Sequence, residues 1–351
     1  MRPLRVSRSG GAPGRTRTCD QRLRRPSLYP TELRAHGVFT YRATVRGARS
    51  FSKVSLPVTQ STKGSTTEDT LSLALDQAQK GEPRPLYDRL TRGSRLPGPE
   101  ANLEFAATFA SLCAARGKAT DRVILAMATL DADYAPGGTE LEFLPMCGVA
   151  AIGARAAKDA KARARLLGVL HDCAEDLRWR VRKMVSVALI DIGAVHGGAL
   201  LDDLSPWFDG YFHAAAVLEA IQDMRWLSQL HDPEAVVAVL DRTFDLARNS
   251  SRAASRYPGF KALVEALSTV PSILAVRFGV PIFDVLAGWL GITKDPALRE
   301  IVEKNLRAPR LKGRYREDVA RVLALLASTA PARRDPKTYV GKTRGRGKKS
   351  R

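Results

Sequence analysis

The stretch DLRWRVRKMVSVALIDIG, residues 176–193, constrains the fold more than any other part of the chain. Val181, Val185, Ala188 and Ile192 recur at spacings of four, three and four, the stripe an α-helix turns toward a core. Met184 and Leu189 widen that stripe, while Arg178, Arg182 and Ser186 mark an opposite polar face. Gly193 is expected to end the helix, because glycine takes the left-handed cap conformation at little cost. No alternating apolar–polar run of useful length occurs anywhere, so the expected class is all-α.

Helical patterns fill the rest of the middle of the chain. The spacing predicts helices over 67–80, 83–90, 100–116, 120–130, 140–157 and 160–173. After residue 193 it predicts a loop with a short helix over 196–210, then helices over 211–230, 233–248, 258–270, 280–290, 296–306 and 317–328. Asp232 before Pro233 is a capping residue followed by a proline suited to a first turn. Gly148, Ala150, Ala151, Gly153 and Ala154 predict close packing of one helix against its neighbours. The apolar region 270–292 is interrupted by Pro271, Arg277, Pro281 and Asp284, which argues for core helices rather than a membrane span.

Asp176, Trp179, Val181, Arg182, Val185, Ala188, Leu189, Ile192 and Gly193 stand as D-x-x-W-x-V-R-x-x-V-x-x-A-L-x-x-I-G. That pattern resembles the second helix of a HEAT repeat, and DPALREIVEKNL at 295–306 is a fainter echo. The resemblance covers one unit well and the others poorly. It implies a right-handed α-solenoid of degenerate HEAT-like helix pairs over 66–330, with a concave face for a macromolecular partner.

Charge is unevenly placed. The net charge is +20, but residues 1–65 hold fourteen Lys/Arg against two Asp/Glu and residues 333–351 hold nine against one. The intervening body is left with 33 of each sign, so the inference from basicity to a nucleic-acid partner applies to the ends alone. The tail 331–351 reads as disordered, with a basic arm at Lys342, Arg344, Arg346, Lys348 and Lys349. Residues 1–65 read as disordered too. Within them, Thr16-Arg17-Thr18 and the run LYPTELR at 28–34 can both be back-translated into complements of tRNA landmarks, in one frame and in order. The segment 14–35 therefore resembles the antisense strand of a tRNA gene read as protein, which implies a later true start. An Arg- and Ser-rich organelle transit peptide is the other reading. Cys19, Cys113, Cys147 and Cys173 form no CxxC pair, which fits a reducing, cytoplasmic setting.

Candidate chemistry is sparse. Arg155 and Lys158 on one helix, with Arg178, Arg182 and Lys183 on the next, would line a positive strip able to track phosphates. The alternative is a solvated face paired with local acids. Trp207 and Asp209, with Trp226 one helix on, combine aromatic rings with a carboxylate. HEAT-like solenoids include DNA alkylation-repair glycosylases, whose tryptophans and acid serve a damaged nucleotide, and this resemblance makes such an enzyme the second expectation. The plainer reading is a helix junction plugged by Trp207 and capped by Asp209. His171-x-Cys173 is the one metal-like pair, and two residues apart on a helix point to different faces. No metal, no small-molecule cofactor and no membrane association is expected. The leading expectation is a non-catalytic scaffold that binds nucleic acid or a protein, with a protein–protein adaptor as the third.

Overall fold

The computed structural model describes residues 62–330, and the expectations for 1–61 and 331–351, including Lys342, Arg344, Arg346, Lys348 and Lys349, lie outside the described residues. Within them every regular element is helical and no strand occurs. The first pair is α1 (Thr62–Gln79) and α2 (Arg84–Gly93). They bury Leu71 and Leu75 against Leu86 and Leu90. Next, α3 (Leu103–Arg116) is capped by Asn102, whose side-chain oxygen accepts from the Phe105 N–H and whose amide donates to the Gly93 carbonyl at 2.9 Å. Then come α4 (Asp121–Ala128), α5 (Phe143–Lys158) and α6 (Ala160–Ala174). Asp159 caps α6 by accepting from the N–H groups of Lys161 and Ala162.

The helix at the centre of the sequence pattern is α7 (Trp179–His196). It is followed by the short α8 (Ala199–Asp203) and a 3-10 turn at Ser205–Phe208. Beyond lie α9 (Tyr211–Ile221), the single turn α10 (Met224–Leu227), α11 (Pro233–Arg248), α12 (Pro258–Leu267), α13 (Val270–Phe278), α14 (Val280–Ile292), α15 (Pro296–Leu306) and α16 (Arg316–Ser328). Asp232 and Asp295 cap α11 and α15 with a proline at the first helical position in each, and both helices have the bounds the sequence predicts.

Through the middle of the fold, helices pack on others two or three places further along the chain. Helix α3 lies on α5, α5 on α7, α7 on α9 and α9 on α12. Between them α4 and α6 pack on α5, and α6 also meets α7 and α9. Further on, α11 packs with α14, α14 with α16, and α13 with α15. One hydrophobic core runs without a break from Leu71 to Val322. Small residues let the central helices approach closely. A Cβ on Gly148 would lie 2.4 Å from the Ala128 nitrogen, and one on Gly153 would lie 2.6 Å from the Ala188 Cα.

Several boundaries differ from expectation, and three of the differences have a physical reason. Gly193 does not end α7; the helix runs one turn further, to Gly197 at φ 57. Gly193 is required for another reason: a Cβ there would sit 2.1 Å from the Trp226 ring. The helix predicted over 211–230 stops at Ile221, because Asp223 starts a new turn by accepting from the Arg225 N–H. Residues 258–278, by length and composition apolar enough to cross a membrane, divide into α12 and α13, and half of the most apolar window is buried in the protein.

Candidate functional site

The start of α7 is tied to the connection after α4 through Arg178. Arg178, the residue before the helix, is buried at 5% exposure. Its guanidinium donates from Nε to Asp176 Oδ1 at 2.8 Å, and also reaches the carbonyls of Leu130, Asp131 and Ala135 at 2.7, 3.2 and 2.9 Å. The planar fork of arginine can serve several acceptors at once, which a lysine ammonium on a flexible stem does less well. Arg178 thereby ties the connection after α4 to the N-terminus of α7.

This corrects the expected positive strip. Arg178 has no donor to spare for phosphate. Arg155 is equally internal, bonded to Asp121 at 3.1 Å and Asp159 at 3.0 Å. These partners lie up to 48 residues away in sequence, so each arginine is a structural tie rather than part of a surface. Arg182 donates to the Asp176 carbonyl and places its guanidinium 4.3 Å from the centre of the Phe212 ring. Lys183 reaches solvent but pairs with Glu219 at 2.7 Å. Lys158 is exposed at the end of α5. The structure therefore leaves Lys158 and Lys183 on the surface out of the five positions.

The same end of α7 displays apolar surface. Leu177 is 78% exposed and Trp179 is 51% exposed. The Arg180 guanidinium lies 4.6 Å from the centre of the Trp179 ring and pairs with Glu142 at 3.1 Å. Glu142 is itself buried and accepts from the Gly138 N–H at 2.7 Å. Exposed Tyr134 belongs to the connection that Arg178 clamps. Two exposed apolar side chains on either side of Arg178, an arginine and a tyrosine are thus carried on one corner.

The second expected site takes a different form. Trp207 is 2% exposed and Trp226 is 0% exposed. Trp226 donates its ring N–H to the Gly197 carbonyl at 3.0 Å and lies flat on Gly193. Neither ring is exposed for a nucleotide to stack on. Asp209 stays at the surface and does not cap α9; its Oδ1 lies 3.1 Å from His171 Nε2 and 3.0 Å from His213 Nδ1. The two imidazoles stack at 3.6 Å with planes 13° apart, and Trp207 meets both edge-on. Burial pushes the Asp209 carboxyl up, but the His171 hydrogen bond and the two neighbouring imidazoles outweigh it and hold it below its ordinary range.

Sequence reasoning missed this cluster. It paired His171 with Cys173, whereas the Cys173 thiol is buried against the Ala128 carbonyl at 3.8 Å. The signal available was Asp209-x-x-x-His213, two polar residues one turn apart at a helix start. Burial raises the thiol of Cys113 to about 12 and that of Cys173 to about 12, and lifts Cys147 well above its ordinary value, so none is a ready nucleophile. Compared with protein families, with curated proteins and with solved structures, the chain finds no match in any of the three.

Proposed function

We propose that the chain is a non-catalytic scaffold of degenerate HEAT-like helix pairs that docks a protein partner at the N-terminal corner of α7. The observation that carries this reading is the pair Leu177 and Trp179, exposed on a corner that Arg178 immobilises. Trp, Tyr and Arg are the residues that most often dominate protein interfaces, and a pre-ordered platform loses little entropy on binding. The serial stacking of α3, α5, α7, α9 and α12 supports a solenoid, since each of these helices rests on the one before. Arg155 and Arg178 being internal weakens the nucleic-acid reading of the same region. The buried state of Trp207 and Trp226 weakens the glycosylase reading.

A photo-crosslinking amino acid at position 177 tests the proposal. It is expected to capture a discrete protein in cells of origin, and Trp179→Ala is expected to abolish the adduct. The same label at Met224, also exposed, is the control. Identical adducts at both positions, or a nuclease-sensitive adduct at 177, would contradict the reading.

A further inference from the structure

We propose that His171, Asp209 and His213 bind one transition-metal dication, with Zn2+ the best match. The three side chains come from α6, from the residue after the 3-10 turn, and from α9. One donor atom from each lies within 4.8 Å of the others. Asp209 Oδ1 is 3.1 Å from His171 Nε2 and 3.0 Å from His213 Nδ1. Ligands on bonds of about 2.0–2.2 Å sit roughly 3.0–3.5 Å apart around one ion, so the Asp209–His213 edge already matches.

Hydrogen bonding at His213 points the same way. Its Nε2 is 3.0 Å from the His171 carbonyl, an acceptor only, so Nε2 carries the proton. In the neutral ring Nδ1 is then a lone pair. That atom is buried and makes no hydrogen bond, although a carboxylate oxygen stands 3.0 Å away. A neutral imidazole lone pair facing a carboxylate is two acceptors in opposition, a conflict that a proton on Nδ1 or a metal cation between the two atoms removes. A histidine whose other nitrogen donates to a backbone carbonyl is the usual arrangement of a metal ligand. A side chain at 210 would block that nitrogen: a Cβ on Gly210 would lie 2.3 Å from His213 Nδ1. Asp209, with its side chain 57% exposed, gives an ion a route in from solvent.

Two imidazoles and one carboxylate select Zn2+ or its neighbours over Ca2+ and Mg2+, which prefer oxygen. Two stacked rings cannot both aim lone pairs at one ion. Binding therefore requires His171, the less buried of the two, to turn out of the stack. The ion would then join α6 to α9.

The test uses chelator-treated full-length protein titrated with Co2+, followed by its visible absorption, and then by Zn2+ in competition. One equivalent of Co2+ is expected to give a visible band that Zn2+ abolishes, and Zn2+ is expected to raise the melting temperature. Loss of even an outer partner of a metal ligand weakens affinity about 10- to 100-fold, so Asp209→Asn and His171→Gln should each weaken binding at least ~10-fold. Asp209 is exposed, so its variant keeps the fold and decides the matter if the histidine variant does not. No band with one equivalent, or equal affinity in Asp209→Asn, would overturn the proposal.

Discussion

At the scale of single residues, ion pairs made far along the chain decide which charges belong to the surface. Arg178 bonds with a carboxylate and three carbonyls inside the protein. Arg178→Ala would strand those acceptors, and loss of one partner from a buried charge network costs about 3–5 kcal/mol. Urea unfolding should show that loss, and Arg178→Lys should recover only part of it, having no fork. Asp159 gives a pH signature. The Arg155 hydrogen bond, with the N–H groups of Ala162 and Lys161, holds its carboxyl below the ordinary value of 3.8. A depressed carboxyl stabilises the fold above the unfolded-state value and loses that contribution as pH falls through the folded value. The gap in melting temperature between the parent and Asp159→Asn should therefore be open at about pH 6 and close toward about pH 2.5. An unchanged gap would show that Asp159 acts only as a cap. The long-range pairings were not legible in the sequence, because Asp121 lies 34 residues from Arg155 and the carbonyls of Leu130, Asp131 and Ala135 lie 43 to 48 residues from Arg178; Asp159 and Asp176 are the local acids that the sequence does offer as partners.

At the scale of elements, helix existence was legible and helix ends were legible only where local chemistry sets them. Asp232-Pro233 and Asp295-Pro296 mark starts that the structure keeps, because capping is satisfied within three residues. Gly193 misled, because glycine serves both as a cap and as a contact, and Trp226, the residue that requires it, is 33 residues on. The small residues of α5 were read correctly as a close-packing face. Gly153→Ala should place its methyl 2.6 Å from the Ala188 Cα on α7. Over-packing of that kind costs about 1–3 kcal/mol, which exceeds the helix-propensity gain of about 1 kcal/mol from replacing glycine. Chemical denaturation that found the variant more stable would refute the tight α5–α7 contact.

At the scale of the whole molecule, the continuous core from Leu71 to Val322 makes neighbouring layers unfold together. Cys113, Cys147 and Cys173 sit in α3, α5 and α6, all buried. Their thiols should stay unreactive in the native protein and become accessible at one shared denaturant midpoint, as read by mass mapping of an alkylating label. Three separate midpoints would mean that the layers open independently. Function was the least legible level. Composition located the excess charge in the ends and left the body neutral, but the Trp179 corner and the His171–Asp209–His213 cluster arise from packing that a single sequence does not display. On the proposed function, the α5–α7 surface of the body recognises protein rather than phosphate. The most direct measurement is the affinity of the full chain for fluorescent duplex DNA at low and high salt, beside a Lys158→Glu/Lys183→Glu variant. Each phosphate contact adds about one to the slope of log affinity against log salt. Equal affinities and equal slopes are expected for the parent and the variant. A weaker variant with a slope flatter by about two would contradict that reading and return the body to the nucleic-acid binders.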